Sequence, residues 1–384
     1  QKNRECSFYN WRKIIMSQSN EVTLWGKVYS VEDTTDLYLP YDNLTGSIPS
    51  EIGELTNLTS LDLCNNQLTG PIPDDIGYLT NLTQLKLGDN QLTGSIPSKI
   101  GNLINLTDLD LKYNQLTGSI PSEIGNLTNL RYLLLENNQF TDSIPSEIGE
   151  LTNLSKLYLS HNELTGEIPS EIGELTNLSK LWLFGNQLTG SIPSEIGNLT
   201  NLTTLLLYDN QLKGSIPSEI GNLTNLTTLL LYDNQLKGSI PSEIGNLTNL
   251  TALDLCNNQL TGSIPSEIGN LTNLSKLKLE YNQLKGEIPE SICNLNVNWS
   301  KSFDFGIYNN QLSPPYPSCI EDYVGEEDVV SEPRMTRAGR REAADDFWKS
   351  LGSSLEAKIA SGFTEKLAIL QAEMIQKEMK KPPE

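Results

Sequence analysis

GNLTNLTTLLLYDNQLKGSIPSEI, running from Gly197 to Ile220, is followed by the same 24 residues again, Gly221 to Ile244. A self-match at a fixed period is the sequence signature of a solenoid, in which one short unit is stacked on copies of itself. Outward from this pair the letters drift but the frame does not. In the coil around Asn66 it reads Leu58, Leu61, Leu63, Asn66, Leu68, Gly70, Ile72, Pro73, Ile76, Gly77, Leu79.

Leu61 and Leu63 are two apart, so they share one side of a short strand, and Ser60 and Asp62 share the other. Asn66 follows where the strand ends. A carboxamide both donates and accepts, so it can satisfy backbone groups where the chain turns away from the ladder. Gly70 and Pro73 punctuate the return path. The ladder position recurs every 24 residues at Asp42, Asn66, Asn90, Asn114, Asn138, Asn162, Asn186, Asn210, Asn234, Asn258 and Asn282. Asn310 follows 28 residues after Asn282, so the last coil carries a four-residue insertion. About 12 coils at a strand spacing of roughly 4.8 Å predict a stack on the order of 55 Å long. A single coil cannot bury its own apolar face, so stability comes from stacking, and the ends need caps.

The frame L-x-x-L-x-L-x-x-N-x-L, followed by L-x-G-x-I-P as in Leu68–Pro73 and Leu188–Pro193, resembles the plant-specific subclass of leucine-rich repeat proteins. The resemblance runs from about Thr34 to Val324. It implies a superhelix with a parallel sheet on its concave face and a second sheet beside it. Members include receptor-kinase ectodomains, inhibitors of pectin-degrading enzymes, some ice-binding proteins and secreted bacterial proteins, and fold alone does not choose among them. The resemblance also implies a disulfide, Cys293 to Cys319, closing the irregular last coil. The family's N-terminal cap usually carries a cysteine near Val28. None is present here, which leaves Cys6 without an evident partner. Cys64 and Cys256 hold one frame position eight coils apart, too far to bond, and read as free thiols.

Net charge is −21. Residues 1–330 hold 17 Lys+Arg against 39 Asp+Glu, or −22, and residues 331–384 hold 10 against 9, or +1. An acidic solenoid lacks the basic footprint that nucleic acid requires. Much of the charge is one row, Glu123, Glu147, Glu171, Glu195, Glu219, Glu243 and Glu267, read as a solvated outer face. No run of about 20 apolar residues is present, so no transmembrane segment is expected. Asn-x-Ser/Thr triplets recur because the repeat itself writes them. Secretion to the extracellular space or cell surface is the expected location.

Taken in order, 1–33 form an N-terminal cap, 34–312 the repeats, 313–330 a C-terminal cap and 331–384 a helical tail. Coils differ mainly at solvent-side strand positions, where a ligand could be chosen. The middle coils place Tyr132, Leu134, Tyr158, Trp182, Phe184, Leu206, Tyr208, Leu230 and Tyr232 there, with Lys156 and Lys180 beside them. These are expected to form one exposed patch on the concave face, the kind of surface that marks an interaction site. In the tail, Arg334, Arg337, Arg340 and Arg341 precede a stripe at helical spacing: Phe347, Leu351, Leu355, Ile359, Phe363, Leu367, Leu370 and Met374. Such a stripe must be buried against something, whether the solenoid's end, a partner, a second copy or a membrane surface.

No metal, cofactor or catalytic constellation is predicted. His161 is the one histidine, read as a solvated turn residue, and neither a serine-nucleophile motif nor a phosphate loop is present. The expected function is non-catalytic recognition of a protein, peptide or glycan. The alternatives are a structural subunit anchored in a larger assembly by the tail, and an ice-binding surface built on Thr69, Thr93, Thr117, Thr141, Thr165 and Thr189.

Overall fold

In the computed structural model residues 20–324 are described. The tail stripe from Phe347 to Met374 lies outside them, as do Cys6 and the apolar residues before position 20. The described chain opens with an antiparallel hairpin, Glu21–Leu24 against Lys27–Ser30. Trp25 (φ 47°) and Gly26 (φ 80°) turn it, and Val22 and Leu24 point into the core at the open end of the first coil.

The coils then stack. Strands of two or three residues, from Asp36–Tyr38 to Phe305–Gly306, pair in parallel in one 12-stranded sheet. Leucine pairs with leucine from coil to coil, Leu61 with Leu85 and Leu205 with Leu229, so one face of the sheet is a continuous buried leucine wall. Each coil returns through a 3₁₀ turn such as Ser50–Glu54 or Ser194–Asn198, entered from a proline at φ near −66°. Proline suits that entry because its φ is already fixed and its missing N–H is not needed there. The glycine inside the turn has no room for a side chain: a Cβ on Gly53 would lie 2.6 Å from the Asp75 carbonyl of the next coil.

The ladder asparagines carry the stack. Asn90 Oδ1 accepts the Leu68 N–H at 3.0 Å, and its Nδ2 donates to Leu63 O and Leu87 O at 2.9 and 3.1 Å. One buried amide therefore stitches its own strand end to the coil before it. The pattern repeats through Asn282, and Asn310 preserves it across the longer last coil. The residue before each asparagine is left-handed, from Asn65 at φ 56° to Asn309 at 52°.

A second set of strands lies on the L-x-G-x-I-P segment, and it is not continuous. Five strands pair from Thr45–Gly46 to Gln139–Phe140, and four from Lys237–Gly238 to Gln311–Ser313. Between them only single bridges remain, Ser143 to Thr165, Glu167 to Thr189 and Ser191 to Lys213. At the first interruption Asp142 stands where other coils have glycine, at φ 62°. The threonine row from Thr69 to Thr189 thus crosses a break rather than one flat sheet. At the far end Cys293 and Cys319 are disulfide-bonded, Cα–Cα 5.6 Å, and Trp299 packs edge-on to Phe305 of the last strand.

Candidate functional site

On the solvent side of the long sheet, two rows of side chains run along the stack. Residues one coil apart in a parallel ladder sit about 4.8 Å apart, close to the distance at which aromatic rings stack. The first row is held in register by strand pairing: Leu134, Tyr158, Trp182, Leu206, Leu230, Asp254. The second lies just beyond the strand ends: Lys112, Glu136, Ser160, Phe184, Tyr208, Tyr232, Cys256, Glu280. Its register is fixed by backbone bonds such as Gly185 N–H to Tyr208 O at 3.1 Å and Asp209 N–H to Tyr232 O at 3.0 Å.

The aromatic residues in these rows stack on one another. Tyr158 and Trp182 lie face to face with centroids 3.8 Å apart. Phe184, Tyr208 and Tyr232 form a three-ring column at 4.3 Å steps, and Trp182 links the columns at 6.2 Å. The expectation of an open patch is corrected here. Tyr158, Phe184, Leu206, Tyr208, Leu230 and Tyr232 are buried, between 0 and 8 % exposed. Each stacked ring covers the face of its neighbour, which a row read as independent surface positions does not anticipate. Tyr132, Leu134, Lys156, Lys180 and Trp182 are half-buried and form the accessible part of the predicted set. There Lys156 Nζ sits 5.1 Å above the Tyr132 ring, a cation–π pair. His161 is also not a simply solvated residue. It is half-buried, edge-on to Phe184 at 4.8 Å, over Gly185, where a Cβ would meet its Nδ1 at 2.7 Å.

The stacked columns end in charge on both sides, a feature that the apolar pattern of the sequence does not mark. Before them lie Asp110, Lys112 and Glu136; after them Asp254, Lys276, Lys278 and Glu280. Burial pushes the Glu136 carboxyl up to about 7 against the pull of Lys112, and its Oε2 has no hydrogen-bond partner. Burial also raises Asp110 and Glu280, although Lys278 sits 2.8 Å from Glu280. For Lys112 burial acts downward, but Asp110, Glu136 and Asp89 together outweigh it and leave the ammonium raised. Glu136 and Glu280 occupy the same frame position six coils apart, and that shared position was the available signal. Among the described residues no group of three or more His, Cys, Asp or Glu is placed to hold a metal ion, and no helix is long and apolar enough to cross a membrane.

The family model described as a leucine-rich repeat region matches residues 109–205 and 184–301, and the leucine-rich repeat model matches 57–79 and 81–103. Among solved structures, a TDR receptor is 37% identical with a TM-score of 0.68, over 73% of this chain and 48% of that one. The plant peptide hormone receptor RGFR1, in complex with RGF2, is 39% identical with a TM-score of 0.64, over 74% and 49%. A plant ice-binding protein is 30% identical with a TM-score of 0.55, over 76% and 84%. The chain thus spans about half the length of the two receptors. No curated protein matches it.

Proposed function

The chain belongs to the leucine-rich repeat family, and from that membership we propose that it is a non-catalytic recognition protein of the extracellular space, binding a peptide or protein along the solvent side of its long sheet. The observation that carries this reading is the likeness to a receptor solved with its peptide, combined with the half-buried Tyr132, Leu134 and Trp182 on the solvent side of the long sheet. The contacts assigned to a ligand are Tyr132, Leu134, Lys156, Lys180 and Trp182. The stacked rings of Phe184, Tyr208 and Tyr232 act as a stiff floor beside them, which lowers the ordering cost that binding must overcome. A tail docked into a larger assembly stays a separate proposal, since its residues lie outside those described.

The ice-binding relative supports a second reading, because this chain covers 84% of it. The threonine row it would use is crossed by the sheet break and interrupted by Lys213 and Lys237, which favours the first reading.

The test is affinity capture from the native extracellular fluid with the full chain and with Trp182→Ala. A protein or peptide retained by the first and lost by the second, with unchanged circular dichroism, supports the proposal. Equal retention by both places the site elsewhere, and thermal hysteresis in a freezing assay would establish the ice-binding reading.

A further inference from the structure

A groove of about 390 Å³ runs along the edge of the long sheet, one residue before the strands begin. It is lined by Asn81, Asn105, Asn129 and Asn153 together with Thr83, Thr107 and Arg131. Each asparagine spends one Nδ2 proton on the coil before it: Asn105 on Thr80 O at 3.0 Å, Asn129 on Ile104 O at 2.9 Å, Asn153 on Thr128 O at 2.9 Å. These bonds fix the amides in a row and leave a second N–H and the Oδ1 acceptor on each.

Arg131 departs from its own row. The equivalent residues, from Thr59 to Ser275, are otherwise all serine or threonine, and Arg131 is the only arginine among the described residues. It is exposed, and it lies next to Tyr132, whose strand pairs in register with Lys156 and, one coil on, Lys180. Arg131 is the one cationic side chain in the lining of the groove.

We propose that this groove is a second binding site, distinct from the aromatic rows, for a carboxylate-bearing oligosaccharide, with Arg131 on the carboxylate and the asparagine row on the sugar hydroxyls. The lining has no apolar side chain to seat a hydrophobic residue. Its backbone is also spent: Thr83, Thr107, Arg131 and Ser155 each donate their N–H to the preceding coil at 2.8 Å, so no strand can be added here. What remains is a hydroxyl-matching surface with one guanidinium, whose planar fork suits a carboxylate.

The experiment uses the full chain made in a host that adds no N-glycans, because Asn81, Asn105 and Asn153 each begin an Asn-x-Ser/Thr triplet. The probes are mannuronate oligomers, neutral mannose oligomers of equal length and an oligoglutamate peptide, followed by titration calorimetry. The variant is Arg131→Gln, since threonine would create a new triplet at Asn129. The expected result is binding of the uronate that weakens with salt and falls at least tenfold in Arg131→Gln, with the neutral sugar at least tenfold weaker. Trp182→Ala should bind the uronate unchanged, which separates this site from the concave one. No uronate binding at millimolar concentration, equal binding of the neutral sugar, an unaffected Arg131→Gln, or oligoglutamate binding as tightly as the uronate would overturn the proposal.

Discussion

The indole of Trp182 lies flat on the ring of Tyr158, with planes 5° apart and centroids at 3.8 Å, and the two side chains come from strands paired in parallel register. Stacked pairs contribute roughly 0.5–1.5 kcal/mol beyond their area. Trp182→Ala removes the upper ring but leaves the leucine wall beneath it. The expected cost is about 2–3 kcal/mol, below that of a fully buried tryptophan. Repeat arrays do not unfold in one step, so the measurement is amide hydrogen exchange. Protection at Leu181 and Leu183 should fall while that of Leu61 stays unchanged. Trp182→Phe should retain most of it.

Asn162 accepts the Phe140 N–H at 3.0 Å and donates to Leu135 O and Leu159 O at 3.1 Å. Asn162→Ala leaves a buried N–H and at least one buried carbonyl without a partner, at roughly 1–3 kcal/mol each. The loss should divide the stack. Limited proteolysis is expected to cut near residue 162 in the variant and not in the parent.

Asp142 adopts the left-handed conformation that glycine fills in neighbouring coils, such as Gly118 at φ 75° and Gly166 at 73°. Asp142→Gly relieves that strain, and the expected gain is about 1 kcal/mol or less, since glycine also frees the unfolded chain. A rise in thermal midpoint checks it. A fall would mean that the aspartate side chain contributes more than its backbone costs.

Glu136 carries a pH dependence whose sign is fixed by its burial. Its carboxyl is held up to about 7 in the folded chain and lies near 4.3 unfolded, so between those values the folded state binds more protons. Stability from this residue is therefore greatest below about pH 4 and declines as pH rises to 7, by up to ~1.4 kcal/mol per pH unit. Glu136→Gln has no such group. The difference in local stability between parent and variant, measured by hydrogen exchange of the Leu135 amide at pH 4.5, 6 and 7.5, should move toward the variant as pH rises and level off above 7.

The repeat made the architecture legible before any coordinates. Leu61, Leu63 and Asn66 define strand, core and turn by spacing alone, because a solenoid's contacts are local and identical from coil to coil. The site was legible only in outline. The spacing places Phe184, Tyr208 and Tyr232 on the solvent side but not their burial, since stacking depends on what sits one coil away rather than on alternation within a strand. The break in the second sheet is invisible in the repeat for a related reason. Asp142 is one letter, and the coils that follow carry the usual glycines at Gly166 and Gly190 yet keep only single bridges, so the pattern of letters does not mark the break. Glu136 and Glu280 are buried by their stacked neighbours, and nothing in the spacing separates them from the surface acids of an acidic chain.

Leu284 and Asn310 are joined at 2.9 Å across 26 residues, where other coils join the same atoms across 22, and the four additional residues loop out between them. What the stack enforces is phase, not length. A coil tolerates an excursion on its return path provided the asparagine arrives where the previous strand ended. Growth then proceeds in whole notches, as the duplicate at Gly221–Ile244 shows, and each notch lengthens the long sheet by one strand without disturbing those already laid. The molecule behaves as a ruler whose divisions can be copied, and its length is counted in units of one coil.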